Sequence, residues 1–291
     1  MSYILTLVAA RESTTLTGGI VSSVRDAVGG GAVETLAAGE ALDIALGEAP
    51  DWAAVRAAVG GATVDTITTP AEGRRKRLLV SDMDSTIVTS ETLDELADFA
   101  GLKGRIAAIT ARAMNGEIDF KAALRERVAM LKGLPLHALE RTWLRVQLTS
   151  GARELVATMR SHGAYAALVS GGFTFFSGRV AALCGFDLHR SNTLLDDGSV
   201  LLGRVAEPIL DRDTKLATLS GLAAERGLPM SATLAVGDGA NDLDMLRAAG
   251  LGVAFHAKPI VAAEARARVD HAGLRALLFA QGYREEEIVA E

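Results

Sequence analysis

The stretch that decides the fold is Leu78-Leu79-Val80-Ser81-Asp82-Met83-Asp84-Ser85-Thr86, an apolar segment followed at once by two acidic residues. The apolar part is typical of a short buried strand, and parallel sheets bind their ligands beyond the carboxyl ends of such strands. Asp82 and Asp84 lie two positions apart there, so both carboxylates can project into one site. Two like charges at that spacing need a cation or a proton to offset their repulsion, and oxygen ligands alone favour Mg²⁺. Because Asp and Ser are also common turn residues, an ordinary turn is the alternative.

Three further groups follow strands in the same way. Ser170-Gly171-Gly172 comes directly after the apolar run 164–169, and a serine hydroxyl with the N–H groups of a glycine turn can hold a phosphate. Gly237-Asp238-Gly239-Ala240-Asn241-Asp242 follows the run 233–236, where the glycines allow a sharp turn and the acids could bind a metal. Lys215 could offset the repulsion between a carboxylate and a phosphate. Each group alone also fits a plain turn or a solvated lysine. Their shared position among alternating strands and helices predicts an α/β fold, with a parallel sheet and one site.

The chain divides into parts by pattern. Residues 1–70 show the order βαββαβ of a ferredoxin-like α+β domain, which resembles an ACT domain by pattern only. Residues 71–77 predict a linker. Residues 78–90 and 149–291 predict the α/β core, and residues 91–148, with apolar residues at helical spacing, predict a helical cap inserted after the first core strand.

Composition narrows the function classes. The 291 residues include 30 Lys or Arg and 36 Asp or Glu, and a net charge of −6 argues against non-specific nucleic-acid binding. The basic run Arg74-Arg75-Lys76-Arg77 is therefore expected to be a solvated face. Cys184 is the single cysteine, which excludes an internal disulfide and suggests a small core residue. The N-terminal apolar run is too short for a membrane span and no basic segment precedes it, so we expect no membrane partner and a cytoplasmic location.

Together these motifs resemble the signatures of the haloacid dehalogenase-like (HAD) hydrolases. Those signatures are an Asp-x-Asp-x-Thr loop, a Ser or Thr after the second motif strand, a Lys and a Gly-Asp-x-x-x-Asp loop. Within that superfamily the chain is most similar to the phosphoserine phosphatase family. The further matches are Glu91-Thr92-Leu93-Asp94-Glu95, Ser170-Gly171-Gly172-Phe173 and Ala254-Phe255-His256-Ala257-Lys258-Pro259. The resemblance implies a Rossmann-like HAD core with a helical cap.

The resemblance also implies a role for each matched residue. Asp82 would be the nucleophile that forms an aspartyl-phosphate, and Asp84 would protonate the leaving oxygen and then activate water. The cofactor Mg²⁺ would be bound by the carboxylates of Asp82 and Asp238 and by the backbone carbonyl of Asp84. The remaining phosphoryl oxygens would be bound by Ser170, the N–H of Gly171 and Lys215. Supporting roles would fall to Asn241 and Asp242, the latter by positioning Lys215 or a metal-bound water.

Substrate specificity is expected from the cap. Glu91 would pair with the ammonium and Arg127 with the carboxylate of O-phosphoserine, while Met114 and Phe120 would cover the substrate and exclude water. The expected reaction is hydrolysis of O-phospho-L-serine in serine biosynthesis, with a homodimer through the N-terminal domain. Two alternatives stay open. One is a phosphatase or phosphotransferase for another small phosphorylated amino acid or metabolite, and the other is a non-enzymatic amino-acid-binding regulator with residues 1–70 as sensor.

Overall fold

The N-terminal sheet is antiparallel and has its own small core. In the computed structural model, which describes residues 2–11, 16–114 and 117–290, its strands are ordered β2-β3-β1-β4. Side chains such as Leu5, Val24 and Val55 are fully buried between this sheet and its helices. The predicted order βαββαβ is confirmed. The elements are β1 (Tyr3–Ala9), α1 (Gly18–Ala27), β2 (Val33–Ala37), β3 (Ala41–Leu46), α2 (Trp52–Val59) and β4 (Val64–Pro70).

The predicted α/β core is confirmed as a six-stranded parallel sheet. In chain order, its strands are β5 (Leu78–Ser81), β6 (Tyr165–Phe173), β7 (Leu188–Asn192), β10 (Thr233–Gly237), β11 (Leu251–Phe255) and β12 (Ala267–Val269). The spatial order is β12-β11-β10-β5-β6-β7, so β5 lies at the centre. All four residues of β5 are buried because helices cover both faces of a parallel sheet. The carboxyl ends of β10, β5 and β6 therefore meet at one edge.

Helices surround the core sheet, and a helical segment follows β5. The core helices are α7 (Ala152–Ser161), α8 (Thr174–Cys184), α9 (Arg212–Glu225), α10 (Leu243–Ala248), α11 (Pro259–Glu264) and α12 (Ala276–Phe279). The stretch predicted as a cap contains α3 (Thr92–Phe99), α4 (Lys103–Met114), α5 (Phe120–Ala129) and α6 (His137–Trp143). A hairpin, β8 (Leu194–Asp196) with β9 (Leu201–Val205), packs against α5.

The two connections between the helical segment and the core run side by side. The N–H of Thr89 donates to the carbonyl of Gln147 at 3.0 Å, and the N–H of Thr149 donates to the carbonyl of Ile87 at 2.9 Å. These bonds fix where the segment leaves the sheet and where it returns. It therefore stands over the edge at which β5 ends.

The basic run before β5 differs from the prediction. Arg74 is largely buried and donates to both carboxylate oxygens of Asp43, at 2.6 and 3.1 Å. Lys76 is buried too, and its ammonium donates to the carbonyls of Gly73 and Ser231 at 2.7 and 2.9 Å. The expected solvated face is thus wrong for these two residues. Arg74 lies between the N-terminal sheet and the core, and Lys76 finds its acceptors in the segment before β5 and in the core.

One smaller prediction, on the single cysteine, has a clear outcome. Cys184 is buried, as expected for a core residue. Among the described residues, no helix has the length and apolar character that crossing a bilayer requires.

Candidate active site

Asp82 is the first residue after the central strand β5. Its side chain is buried, and its two oxygens have different partners. Oδ1 accepts a hydrogen bond from the N–H of Met83 at 2.7 Å, and Oδ2 lies 2.8 Å from Nζ of Lys215. A carboxylate held in this way keeps one orientation at the carboxyl end of the sheet.

Asp84 lies two residues further on, in a different environment. Its Oδ1 accepts from the N–H of Thr92 at the start of α3, at 2.9 Å, and its Oδ2 accepts from the hydroxyl of Ser170 at 3.4 Å. Burial, together with the nearby charges of Glu91 and Asp82, raises the pKa of Asp84 to about 7, although the hydrogen bond from the Thr92 N–H opposes this shift. Asp84 can therefore carry a proton near neutral pH.

The serine–glycine motif lies inside β6, whereas the sequence predicted a turn after the strand. The pairing of β6 with β7 shifts register between Val169 and Phe173, and this irregularity brings Ser170 to the site. The N–H of Gly172 donates to Oγ of Ser170 at 2.8 Å. A Cβ at Gly172 would lie 2.7 Å from Oδ2 of Asp84, so a residue without a side chain is required there.

Asn192 supports this motif, and the sequence analysis missed it. Its amide donates to the carbonyl of Gly171 at 2.9 Å, and its Oδ1 accepts from the N–H of Leu210 at 2.8 Å. The one signal in the sequence was its place at the end of β7, the next parallel strand of the sheet. Asn192 thus joins the β6 motif to the start of α9, which carries Lys215.

Lys215 and Asp242 form a buried pair beside Asp82. Nζ of Lys215 lies 2.6 Å from Oδ1 of Asp242. Burial lowers the pKa of Lys215, but the charges of Asp242 and Asp82 outweigh this effect and hold that pKa above its ordinary value. Burial, with the charge of Asp82, raises the pKa of Asp242 to about 7. A Cβ at Gly237 would lie 2.3 Å from Cγ of Asp242, so this glycine makes room for the carboxyl group.

The acidic groups of this edge could hold a cation. Oxygen atoms of Asp82, Asp238 and Asp242 lie within 4.8 Å of one another, and all three residues are buried. The sequence analysis expected Asp84, through its backbone carbonyl, as the third metal ligand and did not include Asp242. The carboxylate of Asp84 is not in this cluster. Burial, then the charge of Asp82, raises the pKa of Asp238 to about 6. Oxygen-only donors of this kind suit Mg²⁺.

Two more residues stand next to this cluster. The ammonium of Lys258 lies 3.5 Å from Oδ2 of Asp238, and the sequence analysis gave Lys258 no role. Its signal was its place just after β11, the neighbour of β10 in the sheet. The side chain of Asn241 packs against Gly239, where an added Cβ would lie 2.3 Å from its Oδ1.

The residues predicted to bind substrate lie on the helical segment. Glu91 is exposed and accepts from the hydroxyl of Ser85 at 2.7 Å. Its charge raises the pKa values of Asp84, Asp238 and Arg127. Burial lowers the pKa of the half-buried Arg127, and the charges of Asp94 and Glu91 oppose this.

The two residues predicted to cover the substrate, Phe120 and Met114, have different outcomes. Phe120 is 38% exposed, and its Cζ lies 3.3 Å from where a Cβ of Gly171 would be, so the ring covers the β6 motif. Met114 ends α4, but its side chain lies outside the described residues. The site therefore joins a buried carboxylate, a protonatable carboxyl group, a lysine and an acidic cluster under an aromatic cover.

Comparison with known proteins identifies the family of this chain. The model of the haloacid dehalogenase-like hydrolase family matches residues 79–247. The phosphoserine phosphatase of Streptococcus thermophilus is 48% identical over 190 residues, which are 65% of this chain and 88% of that protein. The phosphoserine phosphatase of Streptomyces coelicolor is 41% identical over 237 residues, 81% of this chain. The chain spans 58% of the length of that relative, so it covers little more than half of it.

Solved structures of related hydrolases have a similar fold. A HAD family hydrolase from Salmonella enterica serovar Typhi superposes with a TM-score of 0.86 at 29% identity, covering 98% of this chain and 99% of that one. A structure described as the phospho-aspartyl intermediate analogue of phosphoserine phosphatase gives a TM-score of 0.65 at 38% identity, covering 70% of this chain and 98% of that one. The two curated relatives described above are named phosphoserine phosphatases, and the chain belongs to the haloacid dehalogenase-like hydrolases.

Proposed function

We propose that this protein hydrolyses O-phospho-L-serine to L-serine and inorganic phosphate through an aspartyl-phosphate. The observation that carries the proposal is the contrast between the two carboxyl groups of one loop. Asp82 is paired with a lysine, whereas Asp84, two residues away, has a pKa raised to about 7. The relatives named phosphoserine phosphatase support the choice of substrate. A role in serine biosynthesis and a cytoplasmic location go with this proposal.

The first step would be attack on phosphorus by the carboxylate of Asp82. The bond between phosphorus and the serine oxygen breaks, and protonated Asp84 gives its proton to that oxygen, because an alkoxide is a poor leaving group. Lys215, whose pKa is raised by its carboxylate neighbours, stays charged and offsets the repulsion between Asp82 and the phosphate. Ser170 and the N–H of Gly171 would bind the remaining phosphoryl oxygens.

The second step would release phosphate. Asp84, now ionised, takes a proton from a water molecule that attacks phosphorus, and the bond to Asp82 breaks. The proton on Asp84 then restores the starting state, so atoms and charge balance over the cycle. The ring of Phe120 over the β6 motif would keep other water away from the intermediate.

Mg²⁺ is the cofactor that this donor set fits. Asp82 and Asp238 would bind it through carboxylates and Asp84 through its backbone carbonyl, with Asp242 holding Lys215 alongside. When bound, the ion would neutralise part of the negative charge on the phosphate. Asn241 would support this loop through its contact with Gly239.

Recognition of the amino acid would rest on Glu91 and Arg127. Arg127 is half-buried, and its Nε–H donates to the carbonyl of Ala123 in its own helix, at 3.3 Å. Its terminal N–H groups would bind the carboxylate. Glu91 lies close enough to shift the pKa values of Asp84 and Arg127, so it would meet the ammonium group between them. Met114 remains a proposed cover residue.

The test compares two substrates in three proteins. Phosphate release from O-phospho-L-serine with Mg²⁺ is measured for the wild type, Arg127→Gln and the control Arg125→Gln, which changes an exposed arginine two residues away. We expect Arg127→Gln to lower kcat/KM about 10- to 150-fold, the worth of about 1.5–3 kcal/mol for a charged hydrogen bond, and the control to lower it less than threefold. With para-nitrophenyl phosphate, which lacks both amino-acid groups, all three proteins should be similar.

The outcomes separate the candidate functions. Equal effects of Arg127→Gln on both substrates would favour a phosphatase or phosphotransferase for another small phosphorylated metabolite. Asp82→Asn should abolish turnover of every phosphomonoester, because it removes the nucleophile. Full activity of that variant, or no activity of the wild type on any phosphomonoester with Mg²⁺, would refute the proposal.

We also propose a homodimer through the N-terminal domain. Strand β2 lies at the edge of its sheet, and Val33 within it is 41% exposed. An exposed edge strand offers unpaired N–H and C=O groups to a second copy. Light scattering should give twice the chain mass for the wild type and a lower mass for Thr35→Pro, which removes an N–H donor from that edge. A wild-type monomer would exclude the dimer.

A further inference from the structure

A carboxylate of the N-terminal domain is inserted into the core. Asp65 in β4 is buried, and it accepts three backbone hydrogen bonds from core residues that follow β12. The donors are the N–H groups of Asp270, His271 and Ala272, at 2.7, 3.1 and 2.7 Å. Hydrogen bonds to an ionised acceptor are stronger than neutral ones. Asp65 therefore fixes the conformation of residues 270–272.

His256 connects that segment to the end of β11. Its Nε2–H donates to the carbonyl of Ala272 at 2.9 Å, and its own backbone N–H donates to the carbonyl of Val269 at 2.8 Å. His256 also has φ of 43°, a left-handed conformation that few residues other than glycine adopt. A backbone held in that state needs fixed surroundings, and the ring bond to Ala272 supplies one of them.

The turn that begins at His256 leads to the candidate metal site within two residues. The N–H of Lys258 donates to the backbone carbonyl of Asp238 at 3.1 Å, and its ammonium lies 3.5 Å from the Asp238 carboxylate. The contacts thus run without a gap from the N-terminal domain to a residue of the acidic cluster.

We propose that Asp65 and His256 are positioning residues for the Asp238 loop, so that the N-terminal domain sets the affinity of the Mg²⁺ site. This inference rests on the proposed function, since it takes Asp238 as a metal ligand. Groups that orient a metal ligand from behind commonly change metal affinity by about 10- to 100-fold. Asp65 acts from further away, through residues 270–272, so we expect an effect of about fivefold or more.

The experiment measures Mg²⁺ affinity without turnover. The unfolding temperature of the full chain is followed against Mg²⁺ concentration with no substrate present and fitted for the apparent dissociation constant. This constant is compared with the half-maximal Mg²⁺ concentration for phosphate release. Asp65→Asn turns one acceptor into an NH₂ group that faces N–H donors. The matched control is Asp43→Asn, which alters an equally buried aspartate of the same sheet that pairs with Arg74 and has no hydrogen bond to residues 270–272.

We expect Asp65→Asn to raise both the apparent dissociation constant for Mg²⁺ and the half-maximal Mg²⁺ concentration for phosphate release about fivefold or more, and Asp43→Asn to leave both within twofold. Equal Mg²⁺ affinities for Asp65→Asn and Asp43→Asn would overturn the inference and make Asp65 a purely structural contact. A wild type whose unfolding temperature does not respond to Mg²⁺ would overturn the metal site of the proposed function as well. The two failures are therefore distinguishable.

A second pair of variants tests the other link and does not depend on the Asp65 variants folding. His256→Gln keeps an N–H donor near the carbonyl of Ala272, whereas His256→Ala removes it, and both change the same left-handed position. We expect His256→Ala to weaken Mg²⁺ binding about fivefold or more relative to His256→Gln. Equal Mg²⁺ affinity in the two variants would overturn the role of His256.

Discussion

Raising the pH from about 5 to about 7.5 should destabilise the metal-free protein. Burial raises the pKa of Asp84 and Asp242 to about 7 and the pKa of Asp238 to about 6. In the unfolded chain these groups ionise near ~3.9. Between those values the folded protein holds protons that the unfolded chain releases, so the free energy of unfolding falls as the pH rises. Lys215 does not change how the free energy of unfolding depends on pH between about 5 and about 7.5. Its pKa is raised above its ordinary value, so it stays protonated throughout this range.

The size of the effect follows from the number of extra protons. Each one contributes about 1.4 kcal/mol per pH unit to the slope. The charge of Lys215 opposes protonation of Asp242, and Asp238 loses its proton within this range, so we count one to two extra protons between about pH 5 and about pH 6.5. The corresponding loss is about 1.4–2.7 kcal/mol per pH unit. For chains of this size, about 1 kcal/mol corresponds to about 2–4 °C in Tm. The expected fall is therefore about 3–10 °C per pH unit.

Scanning calorimetry with a metal chelator, at steps across this range, measures the slope directly. Asp84→Asn cannot ionise and should flatten the slope by about 1.4 kcal/mol per pH unit. The control Asp26→Asn changes a side chain that is 72% exposed and should keep the wild-type slope. Saturating Mg²⁺ should flatten or reverse the slope, because the cation binds the ionised carboxylates. A Tm that stays constant or rises with pH in the metal-free wild type would refute the reasoning.

Two further perturbations test other parts of the structure. Gly172→Ala places a Cβ 2.7 Å from Oδ2 of Asp84, so that carboxyl group must move. We therefore expect kcat for O-phospho-L-serine to fall about 10- to 100-fold. An unchanged kcat in steady-state assays would contradict the geometry. The buried guanidinium of Arg275 donates to Glu40 at 2.9 Å and to Glu154 at 2.6 Å. Arg275→Gln leaves the two carboxylates without this cation, which should lower the free energy of unfolding by about 3–5 kcal/mol. Calorimetry should then show a Tm lowered by about 6–20 °C with kcat at room temperature retained, and a wild-type Tm would argue against the cluster.

The sequence determined what depends on short stretches of chain. The apolar run before Asp82, the glycines around Asp238 and the helical spacing after Glu91 each describe a local conformation. Strand period, helix period and turn chemistry act over a few residues, so they can be read without knowing what packs against them. This is why the N-terminal βαββαβ order and the α/β core were predicted correctly, and why the candidate site was assigned to strand ends.

Only the tertiary structure decided which of those groups meet. The order β10-β5-β6 brings Asp242, rather than the side chain of Asp84, into the acidic cluster with Asp82. It also brings Asn192 and Lys258, to which the sequence analysis assigned no role, next to the site. Distances across a sheet and between domains depend on strand order, register shifts and packing over far separated residues. Those are set by the total burial and pairing of the chain, and no short segment encodes them alone.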